Sequence, residues 1–204
     1  MKRTEIKFAV LSAALAAFTL PGLAQSADAN APVTGQSIQQ RKDNQQDRIA
    51  QGVQSGQLTA GETANLEKKE SKLNQEERDM RSEDNGHLTG ADKAALNQQQ
   101  NKLSQQIYQD KHNSATQNTD PKSEVGQRVE NQQDRIAQGV KSGQLNAGEA
   151  AHLEGNEARV NNEIRNDRAA NGGKLTDSEK AQINRQQNRQ SRQIYQAKHN
   201  GRVR

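Results

Sequence analysis

Two matching runs hold most of the side chains able to do specific chemistry. Residues 107–113 read IYQDKHN and residues 194–200 read IYQAKHN. Tyr108 and His112 are four apart, hence on one helical face, and so are Tyr195 and His199. A phenol and an imidazole could serve a ligand or a transition metal. No second histidine stands three or four residues away, so a metal site would have to be assembled between the two runs. The structural alternative is a tyrosine packed over a bundle end, with a basic last turn suited to the helix dipole. A further constellation is Arg185, Arg189 and Arg192, spaced i, i+4, i+7 and followed by Lys198, Arg202 and Arg204. This row could touch anionic lipid, lipopolysaccharide or nucleic acid, or be a solvated face. It lacks the interleaved aromatics that stack on bases, so the nucleic-acid signal is not strong.

The pattern Gly-x-Leu-Thr/Asn-x-x-Glu/Asp occurs four times, beginning at Gly56, Gly86, Gly143 and Gly173. Gly56, Leu58 and Glu62 have the spacing of positions six, eight and twelve in an EF-hand loop, as do Gly143, Leu145 and Glu149. The ligand positions disagree. Gln51, Val53 and Ser55 stand where carboxylates should begin the first loop, and Gln138, Val140 and Ser142 in its counterpart. Helix punctuation accounts for the same residues. Glycine closes one helix in a left-handed conformation, Thr or Asn caps the next, and the acid three residues on completes a capping box. The elbows therefore read as degenerate EF-hand-like loops, whose cation binding is the alternative to simple capping.

Nothing resembles a catalytic set. There is no glycine-rich phosphate loop, nucleophile motif or metalloprotease helix. The carboxylates alternate with Lys and Arg, so they are expected on wet surfaces without strong pKa shifts. The reading is a non-enzymatic chain, with no cofactor implied.

The elements that must position these residues are repeated. Residues 44–113 align with 131–200 at a constant offset of 87, and 42 of the 70 positions are identical. A weaker half-repeat, at an offset of 30, relates the elbows within each copy. Helices are expected at 36–54, 60–82 and 90–111, and again at 123–141, 147–169 and 177–198. The fold class is all-α: two tandem three-helix units of capped hairpins, 36–111 and 123–200. Residues 112–122 form a linker, with tails at 25–35 and 201–204. Leu66, Leu73 and Met80 mark the second helix's apolar stripe, Leu96, Leu103 and Ile107 the third's, and Ile38, Ile49 and Val53 the first's. Much of the remaining seam is Gln or Asn. The core is thin, and partial disorder in isolation, or a homo-oligomer that completes the fold, is the expectation that follows.

Residues 1–24 have the form of a secretory signal. Lys2, Arg3 and Lys7 precede an apolar run at 8–20, then Pro21-Gly22, with cleavage expected after Ala24 or Ala29. The run is short for a bilayer span, so removal rather than a transmembrane anchor is expected. Both Phe residues fall within it. The whole chain is only 29% hydrophobic, against about 45–50% for ordinary domains. The net charge is +4, of which the signal carries two, leaving a nearly balanced polyampholyte. Zero Cys excludes disulfides and thiolate sites. The expected location is periplasmic or secreted.

The pattern RIAQGV-x-SGQL…GE…LE…LT…IYQ-x-KHN resembles a group of exported helical repeat proteins of Gram-negative bacteria. The resemblance covers nearly all of each unit and implies export and helicity, with no activity attached. A much weaker likeness links Leu58-Thr59, Leu88-Thr89 and Leu175-Thr176 to the LTxxQ motif of periplasmic chaperones of the Spy and CpxP kind, with Glu or Asp in place of Gln. The expected function is an envelope stress-protectant or chaperone-like binder of a protein client or envelope component. The alternatives are a cation- or metal-binding module and a binder of anionic surfaces through the basic last helix.

Overall fold

The computed structural model describes residues 37–117, 119–120 and 122–202. The expected signal at 1–24, the tail at 25–35 and the last two residues lie outside them. The described residues form six helices and no strand: α1 Ile38–Gln54, α2 Ala60–Glu83, α3 Gly90–Lys111, α4 Glu124–Lys141, α5 Ala147–Ala170 and α6 Asp177–Lys198. Each expected helix is present, with ends shifted by two residues or fewer.

The elbows set these ends. Gly56 and Gly143 sit at φ of +69° and +74°, a left-handed geometry that glycine adopts without a Cβ clash. Thr59, Thr89, Asn146 and Thr176 then cap α2, α3, α5 and α6, each in a complete capping box with Glu62, Asp92, Glu149 or Glu179. At the first elbow, Glu62 Oε2 accepts from the Thr59 amide at 2.9 Å and from its hydroxyl at 2.7 Å. The EF-hand-like spacing thus places its acid on a helix end, where the backbone supplies the donors. Replacing Thr59 with Ala is expected to lower stability by about 1 kcal/mol, measured by urea unfolding.

The two halves do not keep separate cores. Within the first, α3 packs on α1 and α2; within the second, α6 packs on α4 and α5. Across them, α2 lies along α5 in the most extensive contact of the fold, and α1 meets α4. The main apolar cluster joins Ile49, Leu66 and Ile107 of the first half to Ile136, Leu153 and Ile194 of the second. Ala60, Ala64, Ala147 and Ala150 are buried on α2 and α5. A Cβ on Gly148 would lie 3.3 Å from Ser71 Oγ, so small residues bring these helices together. α3 and α6 flank this shared centre.

Glutamine fills the seam that lacks apolar residues. Gln45 Nε2 donates to the Gln100 carbonyl at 2.7 Å and to Ser104 Oγ at 2.8 Å, and Gln132 repeats both bonds to Gln187 and Ser191. Gln100 and Gln187 reach in turn to the carbonyls of Ile38 and Val125. Amides buried in this way satisfy their own donors while crossing between helices. The halves differ at the outer end of the core. Where the second packs Val129 and Ile164, the first places Lys42 and Glu77, whose charged atoms are 3.0 Å apart.

The linker is docked at both ends. Gln117 N–H donates to the Gly56 carbonyl, and its side-chain oxygen accepts from Ala60 N–H, both at 3.1 Å. Further on, Asp120 pairs with Arg168 of α5 at 3.0 Å.

Candidate functional site

The two Tyr-His ends are equivalent and solvent-facing. His112 stacks on Tyr108 with ring centroids 4.1 Å apart, and His199 on Tyr195 at 4.2 Å. Each imidazole Nδ1 lies 2.7 Å from the tyrosine carbonyl oxygen, which can only accept, so the proton sits on Nδ1. The tyrosines are 44% and 60% exposed, and do not pack over the bundle end as the sequence suggested. The neighbouring Asn explains the rest of the motif. Asn113 Nδ2 donates to Glu62 at 2.6 Å and Asn200 Nδ2 to Glu149 at 2.7 Å, tying each outer helix to a capping box. Among the described residues, no three His, Asp or Glu gather in a way that could hold a metal ion.

Arg185, Arg189 and Arg192 are all exposed on one face of α6. None of the three forms an ion pair or a side-chain hydrogen bond among the described residues. At 1.5 Å per residue the row is about 10 Å long. Its counterpart on α3 is Gln98, Lys102 and Gln105. α3 carries three cations against two acids, whereas α6 carries five against two. The last turns of the same face bring Tyr195 and His199 alongside the row. Arg185, Arg189, Arg192 and Tyr195 thus share α6, as the expected helix at 177–198 already placed them, with His199 at its C-cap.

A second constellation was not foreseen. Glu67 and Glu70 on α2, and their counterparts Glu154 and Glu157 on α5, are at most 1% exposed. Gln46 donates to Glu67 at 3.0 Å and Gln133 to Glu154 at 2.8 Å. Burial pushes the Glu157 carboxyl up to about 8. Burial also holds Glu154 well above the usual range, opposed by the Gln133 bond and reinforced by Glu157. The expectation of unshifted, water-exposed carboxylates is wrong for this pair, because α5 turns them inward where no cation faces them. The signal lay in the spacing: Ala60, Thr63, Ala64, Glu67 and Glu70 follow a helical stripe, and both acids recur at the offset of 87.

Comparison with protein-family models, with curated proteins and with solved structures found no match to the chain. Fold and site together define an all-α protein with one cationic flank. Among the described residues no helix is long and apolar enough to cross a membrane.

Proposed function

We propose that the protein is a non-enzymatic envelope protein that binds an anionic surface through α6. The observation that carries this reading is the exposed row Arg185, Arg189 and Arg192, which has no acidic partner and no equivalent on α3. Guanidinium groups suit phosphate and carboxylate because their planar fork can donate two parallel hydrogen bonds. Tyr195, exposed at the end of the row, has the amphipathic ring favoured at lipid–water boundaries. Secretory-type residues at 1–24, and the likeness to exported helical repeat proteins, support placing the partner in the envelope. A chaperone-like role would need apolar surface for unfolded clients, and the only exposed large hydrophobic side chains among the described residues are the two tyrosines.

The test is sedimentation with vesicles containing phosphatidylglycerol, compared with neutral vesicles, at two salt concentrations. Binding should need the anionic lipid and weaken with salt. Changing all three arginines to Gln should lower affinity roughly 100-fold, at about 1 kcal/mol per basic residue near the surface. Equal binding by the triple variant would refute the reading.

A further inference from the structure

We propose that α6 takes an acidic saccharide, whose anionic groups lie along Arg185, Arg189 and Arg192 and whose next ring enters a cleft between α5 and α6. This rests on the reading of α6 as an anion-binding face and names the chemistry of its ligand.

The cleft has a volume of about 530 Å³ and lies between the first turns of α5 and the last turns of α6. Gln196, on its wall, is eleven residues beyond Arg185. It continues the i, i+4, i+7 line of the arginines, so the row leads into the cleft. Asn146, Glu149 and His152 form the α5 side, and the buried Leu153 lies beneath. The Glu149 carboxylate is already engaged: Oε1 accepts from Asn200 and Oε2 from the Asn146 amide at 3.1 Å. Asn156 Nδ2 lies 3.2 Å from Gln193 Oε1 and 3.3 Å from His152 Nε2. The side chains of Gln196 and Arg202 make no hydrogen bond among the described residues. The groups left for a ligand are the Gln193 amino group, both ends of the Gln196 amide and the Arg202 guanidinium.

That set contains donors and an acceptor together. Hydroxyl groups use both, whereas a bare phosphate can use only the donors. The other copy shows how the cleft came to be available. On α3, Asp110 stands at the place of Ala197, and its carboxylate takes the Gln106 amino group at 2.8 Å. With alanine there, the equivalent amino group of Gln193 is released and an anion is removed from the cleft. The same helix gains the three arginines. Two separate sets of differences between the copies therefore favour an anionic, hydroxyl-bearing ligand at one end of the molecule.

Calorimetry on the full chain at low salt tests this with trigalacturonate, trimetaphosphate (the same charge of about three) and neutral galactotriose. Trigalacturonate should bind about tenfold more tightly than trimetaphosphate, the equivalent of one or two extra hydrogen bonds. Ala197→Asn, which re-engages Gln193 without adding charge, should abolish that preference and leave trimetaphosphate binding unchanged. The triple arginine variant should lose both anions. Equal affinity for the two anions, with Ala197→Asn silent, overturns the saccharide assignment and leaves the anion face standing. Galactotriose binding as tightly as trigalacturonate also overturns it. Binding of neither anion overturns both readings.

Discussion

Raising the pH from about 5 to about 8 is expected to remove roughly 3–4 kcal/mol of folding stability through Glu157 alone. The folded protein holds this carboxyl neutral up to about 8, and desolvation is the cause. In the unfolded chain it ionises near the ordinary glutamate value of 4.5. Below that value both states are protonated and the contribution is fully present. Between the two values only the unfolded chain has released its proton, so stability falls as pH rises. Above the higher value both are ionised and the loss levels off. Glu154 shifts in the same direction and steepens the slope. Glu157→Met, which keeps the length of the side chain and removes its titration, should reduce this dependence to the part that Glu154 carries. Urea unfolding of both proteins at the two pH values measures it. A variant and parent with parallel pH profiles would show that Glu157 is hydrated in the folded protein.

Adding one methyl group at Gly126 should cost about 3 kcal/mol, the upper end of what overpacking does. A Cβ there would stand 1.9 Å from the Thr119 carbonyl oxygen and 2.1 Å from that of Asp120. These are backbone atoms, so no side-chain rotation relieves the clash. The linker would have to lift from α4, with loss of the Asp120–Arg168 pair and of the Thr119 hydroxyl bond to Glu130 at 2.6 Å. The control is Gly155→Ala, inside α5 where a Cβ meets nothing. It should gain about 1 kcal/mol from helix propensity. Thermal unfolding of the two variants should therefore move in opposite directions. A Gly126→Ala protein as stable as the parent would mean that the linker is not seated on α4.

The features legible in the sequence are the local ones. Gly56-Gln57-Leu58-Thr59 and its three relatives fix helix ends through contacts within a few residues, so the spacing alone placed the boundaries. The arginine row was equally readable, because i, i+4, i+7 needs only one helix. The shared core was hidden, since the pairing of α2 with α5 brings together distant stretches of the chain, such as Ser71 and Gly148, which no local spacing announces. For Gln45, Gln132 and the four buried glutamates, residue type argued against burial, although the glutamates fall on a helical stripe. Their types predict solvent, yet carbonyls of neighbouring helices accept from the two glutamines, Gln46 and Gln133 donate to Glu67 and Glu154, and burial keeps Glu157 protonated. The cleft was missed because it depends on an absence, the change of Asp110 to Ala197, whose effect is felt through Gln193.

The amide-filled seam also governs how the fold responds to temperature. Exposing apolar surface raises the heat capacity of unfolding, while exposing polar surface lowers it. A core in which Gln45, Gln100, Gln132 and Gln187 occupy positions normally given to Leu or Ile exposes a mixture of the two when it melts. Its heat-capacity change is correspondingly small, and its stability curve is broad and shallow. Such a protein gains little from any one optimum temperature and keeps a nearly constant margin on either side of it.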